Sequence, residues 1–96
     1  MIINPTLDRR EILSPLIPNP EEYLIVTGLA GAARDTAALT NDASNTFTMA
    51  GCMGAAVSMG LGMSLADPNR QVVVVTGDGE LMMNLGALAS VATAQP

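Results

Sequence analysis

Gln71-Val72-Val73-Val74-Val75-Thr76-Gly77-Asp78-Gly79 is an apolar β-branched run that closes on an acidic glycine turn, with Pro68 just ahead of it. β-Branched side chains favour an extended backbone, and a continuous apolar pattern marks a strand covered on both faces, as in a parallel sheet. Such a strand delivers the Asp78 carboxylate to its C-terminal tip. In open α/β sheets ligands collect outside those tips, and flanking glycines let a metal-bound phosphate approach the backbone. Glu80-Leu81-Met82-Met83-Asn84-Leu85-Gly86-Ala87-Leu88-Ala89 has helical character, so the turn also offers helix N-terminal amides to an anion. Strand, acidic turn and helix form one unit.

A similar unit lies upstream. Glu21-Glu22 open onto Tyr23-Leu24-Ile25-Val26-Thr27, a first strand that Gly28 ends. Residues 30–39 are alanine-rich and helical in character, and Thr40-Asn41-Asp42-Ala43-Ser44-Asn45 is a polar loop. Residues 47–66 carry no charge and read as a long buried helix, with small residues at Gly54, Ser58 and Gly62 suited to a close helix contact. That stretch is nominally long enough for a bilayer, but Gly and Ser dilute it and neither Lys nor aromatic anchors flank it, which argues against a membrane span. Ahead of the first strand, Asp8-Arg9-Arg10-Glu11-Ile12-Leu13 predicts a short helix, capped by Thr6 or Asp8 and ended by Ser14-Pro15. Pro15, Pro18 and Pro20 then make a stiff connector.

Two strand–turn–helix units separated by a loop and a helix predict an α/β class, a partial doubly wound parallel sheet with flanking helices. The expected organisation is one partial domain over residues 1–96, of which 1–20 are the N-terminal helix and proline-rich connector. An α/β sheet normally has more than two strands, and Ala94-Gln95-Pro96 falls where a helix ends and another strand is due, so the chain reads as part of a longer one.

Composition excludes several functions. With 49% hydrophobic content the 96-residue chain can bury a core. Its net charge of −5, with four Arg and no Lys, argues against a nucleic-acid surface and means that a bound phosphate needs a metal. Histidine is absent, which removes the commonest general base and transition-metal ligand. Cys52 is the single cysteine and reads as a small buried residue in a reducing, cytoplasmic setting. Met1-Ile2-Ile3-Asn4-Pro5 has no basic segment ahead of a long apolar core and so is not a secretory signal. Most of the seven methionines read as adaptable core filler, Met53 being set apart below.

Gly51-Cys52-Met53-Gly54, a small-residue helix, Ala66-Asp67-Pro68-Asn69-Arg70, the valine strand and Gly77-Asp78-Gly79-Glu80-Leu81-Met82-Met83-Asn84-Leu85-Gly86 occur in that order. The set resembles the diphosphate-binding domain of thiamine diphosphate enzymes, and within it the β subunit or C-terminal domain of sulfopyruvate and phosphonopyruvate decarboxylases. The resemblance covers residues 21–94 and implies the N-terminal half of that domain. It implies thiamine diphosphate and Mg²⁺ as cofactors, with Asp78 as the metal ligand; magnesium takes oxygen ligands and is commonly held by one or two carboxylates and the phosphates themselves. Gly77, Gly79 and the Glu80 amide would face the diphosphate, the Glu80 carboxylate turning away or capping the helix. Gly51 would accept from the cofactor's aminopyrimidine through its carbonyl, and Met53 would wedge under the cofactor to hold it bent, core packing being the other reading of Met53. The turn Thr27-Gly28-Leu29 matches one near the distal phosphate, with Thr27 and Gly28 as its candidate cofactor-binding residues, or is a plain structural turn.

Two parts of the family pattern are missing. An Asn ligand due downstream of the turn would fall beyond Pro96, and Asn84 is too close to replace it. The glutamate that activates the cofactor comes, in this family, from a pyrimidine-binding domain or subunit, so no catalytic residue is expected in this chain and a homo- or hetero-oligomer is. The implied reaction is decarboxylation of a small 2-oxoacid, by a carbon–carbon lyase. Carboligation of the acetolactate type and a non-catalytic assembly subunit that keeps the fold are the alternatives.

Overall fold

The computed structural model describes residues 8–96. Helix α1 (Arg9–Leu16) opens on Asp8, whose side chain accepts from the Arg10 amide at 2.9 Å, the N-cap interaction that satisfies an orphan donor of the first turn. Thr6, the alternative cap, and the segment read as lacking a signal lie outside the described residues. A 3₁₀ turn (Pro20–Glu22) leads into β1 (Leu24–Thr27), followed by α2 (Gly31–Thr40), β2 (Thr46–Thr48), α3 (Ala56–Ala66), β3 (Val72–Val75), α4 (Asp78–Met83) and α5 (Ala87–Ala94).

The sheet has three strands in the order β2-β1-β3, all parallel. Ile25 pairs with Thr46 on one side and Val73 on the other, so β1 is the middle strand. Ile25, Val26 and Thr27 are fully buried and, with Ile17, Ala56 and Ala87, form the core. The chain steps from β1 outward to β2 and then crosses back over β1 to β3, so the tips of β1 and β3 flank a point where strand order reverses. Residue Gly60 of α3 rests on β3: a Cβ there would run into Val74 Cγ2. On the opposite face a groove is lined by Leu13, Ile17, Val73 and Val75.

The parallel α/β class is as expected, with several corrections in detail. The valine run is half-exposed rather than buried, because among the described residues β3 pairs on one edge only. The uncharged stretch 47–66 is not one helix: Thr46–Thr48 is a strand, turns follow, and helix begins only at Ala56. Gly51 and Gly54 have positive φ values of 95° and 88°, which break any helix through them. Consequently Gly54 is not on a helix face with Ser58 and Gly62; Gly62 faces open space, and Gly60 makes the close helix–sheet contact. Helix α1 continues through Pro15 to Leu16, since a proline in the last turn forfeits one hydrogen bond and the Ile17 amide still closes on Leu13 O at 2.8 Å. The helix after Asp78 is two pieces, parted at Asn84-Leu85-Gly86. Met53, Met59, Met82 and Met83 are exposed, not core filler.

Candidate functional site

Because all three strands run the same way, their C-terminal tips share one edge of the sheet. The turn after β1 is fixed to β3 by Gly28 N–H donating to Val75 O at 2.9 Å. The segment after β2 is fixed to β1 by Met49 N–H donating to Thr27 O at 2.9 Å. Asn84, at the end of α4, donates through Nδ2 to Gly54 O at 3.1 Å and ties the 49–54 loop to the helix that follows the acidic turn. Thr27, Gly28, Gly51, Met53, Gly77, Asp78, Gly79 and Glu80 thus gather at one edge. Strand β2, absent from the sequence reading, is what carries Gly51 and Met53 there.

Asp78 is exposed as the first residue of α4, and its Oδ1 accepts from the Gly79 amide at 2.8 Å. A Cβ at Gly79 would meet nothing within 4 Å, so the turn opens onto free space. That space is a cleft of about 470 Å³ between the 77–80 turn, the 29–32 segment and Leu13 of α1. Asp35, Asp78 and Glu80 line it, and no basic side chain does among the described residues. Met53 is 54% exposed, and Gly51, at positive φ, has nothing within 4 Å of where a Cβ would be. Thr27 is buried, its hydroxyl donating to Gly28 O at 3.2 Å, so the side chain shapes the turn from beneath.

Two side chains differ from expectation. Cys52 is exposed, because it stands in the turn after β2 where its amide closes on Met49 O at 3.0 Å. The Glu80 carboxylate neither turns to solvent nor caps its own helix. It is buried, and Oε2 accepts from the Leu29 amide at 3.0 Å, across 51 residues of sequence. The contacts of Leu29 with Glu80 and of Asn84 with Gly54 are what sequence reasoning missed; both join segments distant in the chain. Ala30, at φ 57° without being glycine, marks the same turn as conformationally constrained.

The donor set suits a cation bridging to an anion. A single exposed carboxylate lies at an open glycine turn, in a cleft lined by no basic side chain among the described residues. Among the described residues no group of three or more His, Cys, Asp or Glu could enclose a metal unaided. Magnesium held by one carboxylate and phosphate oxygens fits that geometry; a fully protein-ligated metal does not.

Residues 28–95 match the family model described as thiamine pyrophosphate enzyme, C-terminal TPP binding domain. The sulfopyruvate decarboxylase subunit beta of Methanothermobacter thermautotrophicus is 37% identical over 90 residues, covering 94% of this chain and 48% of that protein. The phosphonopyruvate decarboxylase of Streptomyces viridochromogenes is 40% identical over 77 residues, 80% of this chain and 19% of that one. The sulfopyruvate decarboxylase of Methanosarcina acetivorans is 31% identical over 94 residues, 98% of this chain and 24% of its own length. The chain spans about half the length of the beta subunits it matches. No described helix is long and apolar enough to cross a membrane.

Proposed function

The chain belongs to the family of thiamine pyrophosphate enzymes, as a C-terminal cofactor-binding domain, and on that premise we propose that it is the diphosphate- and magnesium-holding part of a 2-oxoacid decarboxylase of the sulfopyruvate or phosphonopyruvate type. The observation that carries the reading is Asp78, exposed at the tip of β3 between two glycines and facing an open cleft beside the hydrogen-bonded β1 turn. Bound thiamine diphosphate supplies the electron sink that accepts the electrons left behind when carbon dioxide departs.

Each part of the edge has a task in this reading. Asp78 would hold Mg²⁺, which would supply positive charge in a cleft lined by no basic side chain among the described residues. Gly77, Gly79 and the Glu80 amide let the backbone close on the phosphates, and the Thr27-Gly28 turn forms the neighbouring wall. The Gly51 carbonyl would accept from the aminopyrimidine amine, and Met53 would present an apolar side chain to hold the cofactor bent. The proton-transfer glutamate would come from a pyrimidine-binding domain or partner subunit, and the name subunit beta borne by relatives supports an oligomeric site. An exposed lone thiol at Cys52 suits a reducing cytoplasm.

Titrating thiamine diphosphate calorimetrically in the presence of Mg²⁺ tests the proposal. Asp78→Ala is expected to weaken binding by at least about a hundredfold with the melting temperature unchanged, since an exposed turn residue contributes little to folding. Wild-type affinity in Asp78→Ala would refute the metal assignment. Carbon dioxide release from sulfopyruvate or phosphonopyruvate by the assembled enzyme identifies the reaction, and acyl transfer in its place would favour the carboligase.

A further inference from the structure

Glu80 is the one buried carboxylate among the described residues, with 9% of its surface exposed. It holds the third position of α4, counted from the cap Gly77, where a glutamate ordinarily reaches back to the cap amide. Instead its Oε2 accepts from Leu29 N–H at 3.0 Å, while Oε1 is buried with no hydrogen-bond partner among the described residues. The side chain lies directly beneath Gly28: a Cβ on that residue would collide with the Glu80 carboxylate. Gly28 is not among the positive-φ glycines, so glycine is needed there for space and not for backbone freedom.

Burying a carboxylate with one oxygen unsatisfied costs stability, and an apolar side chain in the same place would avoid that cost. The arrangement is therefore poorly explained by packing, but it does fix one loop against another. We propose that Glu80 is a positioning residue of the cofactor site, whose carboxylate braces the Gly28-Leu29 turn against the Gly77-Asp78-Gly79 turn and reserves the Leu29 amide from the ligand. This rests on the functional reading above and extends it to a side chain for which that reading uses only the amide. With Leu29 satisfied from within, a diphosphate at this end of the cleft is held through the cation on Asp78 and not by the β1 turn amide. Gly28 and Glu80 act as one device, since a methyl group at residue 28 pushes the carboxylate off the amide.

Hydrogen exchange at the Leu29 amide, followed in the intact assembly, reads the brace without any cofactor; thiamine diphosphate affinity with Mg²⁺ reads its consequence. Glu80→Ala is expected to speed Leu29 exchange by about tenfold or more and to weaken thiamine diphosphate by about tenfold. Glu80→Gln, which keeps a carbonyl acceptor of the same length, should recover most of both. Gly28→Ala should reproduce Glu80→Ala, and the double variant should be no worse than either single, as expected for two residues acting through one contact. Unchanged Leu29 exchange in Glu80→Ala overturns the brace. A lowered melting temperature with unchanged cofactor affinity reduces Glu80 to a structural residue and overturns the positioning role. A wild-type protein that binds no thiamine diphosphate refutes the functional reading instead, and the exchange result still decides whether the brace exists.

Discussion

Met53 stands on the 49–54 loop with more than half its surface in solvent, a placement in which an unbranched apolar side chain adds little to folding. Met53→Ala is expected to change stability by no more than about 0.5 kcal/mol while lowering decarboxylation by about tenfold or more, a positioning loss. Thermal melting and carbon dioxide release measure the two effects; a lower melting point with normal turnover would return Met53 to a packing role. The exposed position of Asp78 at the tip of β3 was legible in the sequence because its strand, its two glycines and its helix are contiguous, so every cue lay within one short window. The Glu80–Leu29 hydrogen bond was not, since a glutamate at the start of a helix has its own cap amide within reach and nothing local announces a donor 51 residues away. Cys52 was misread for a similar reason: a small uncharged residue beside glycine suits a core as well as a surface turn, and only the strand before it decides.

That strand, β2, is the element the sequence hid. Thr46–Thr48 is three residues long, sits at an edge of the sheet and merges into an uncharged stretch that has the composition of a buried helix. By contrast, β1 and β3 announce themselves with β-branched runs that glycine or proline bounds. Behind β2, the loop to α3 depends on Gly54, whose φ of 88° disfavours any side chain and whose Cβ position lies 3.3 Å from both Asn84 Cβ and Met83 Cβ. Gly54→Ala is expected to cost about 1–3 kcal/mol through backbone strain and to free the loop that carries Gly51 and Met53. Chemical denaturation measures the first effect, and weakened thiamine diphosphate binding the second; a variant as stable as wild type would show that the loop adapts. Helix α3 makes a separate demand. Gly60→Ala drives a methyl group into Val74 Cγ2, and overpacking of this kind typically costs about 1–3 kcal/mol, without any direct effect on the cofactor edge. A melting temperature equal to wild type would show that α3 can lift from the sheet.

Charge sets the terms for the molecule as a whole. The chain carries a net charge of −5, and three carboxylates but no basic side chain line the cleft among the described residues. Each unit-charge repulsion at 4 Å is worth about 1 kcal/mol even in water and more where the site is partly desolvated. A naked diphosphate is therefore repelled, and stripping divalent cations with a chelator is expected to weaken thiamine diphosphate by about a hundredfold, restored by adding Mg²⁺. Calorimetry with and without chelator checks this; cation-independent binding would require basic residues supplied by a partner. The sheet order has a consequence of another kind, in time. Of the three described strands the first made, β1, lies between the two made later, and its Leu24 waits for Val72. At ribosomal speeds of about 5–20 residues per second, the nascent chain must carry the strand destined for deepest burial with an open flank for several seconds. During that interval the apolar residues of β1 are open to wrong partners, a hazard set by strand order and not by the stability of the finished sheet.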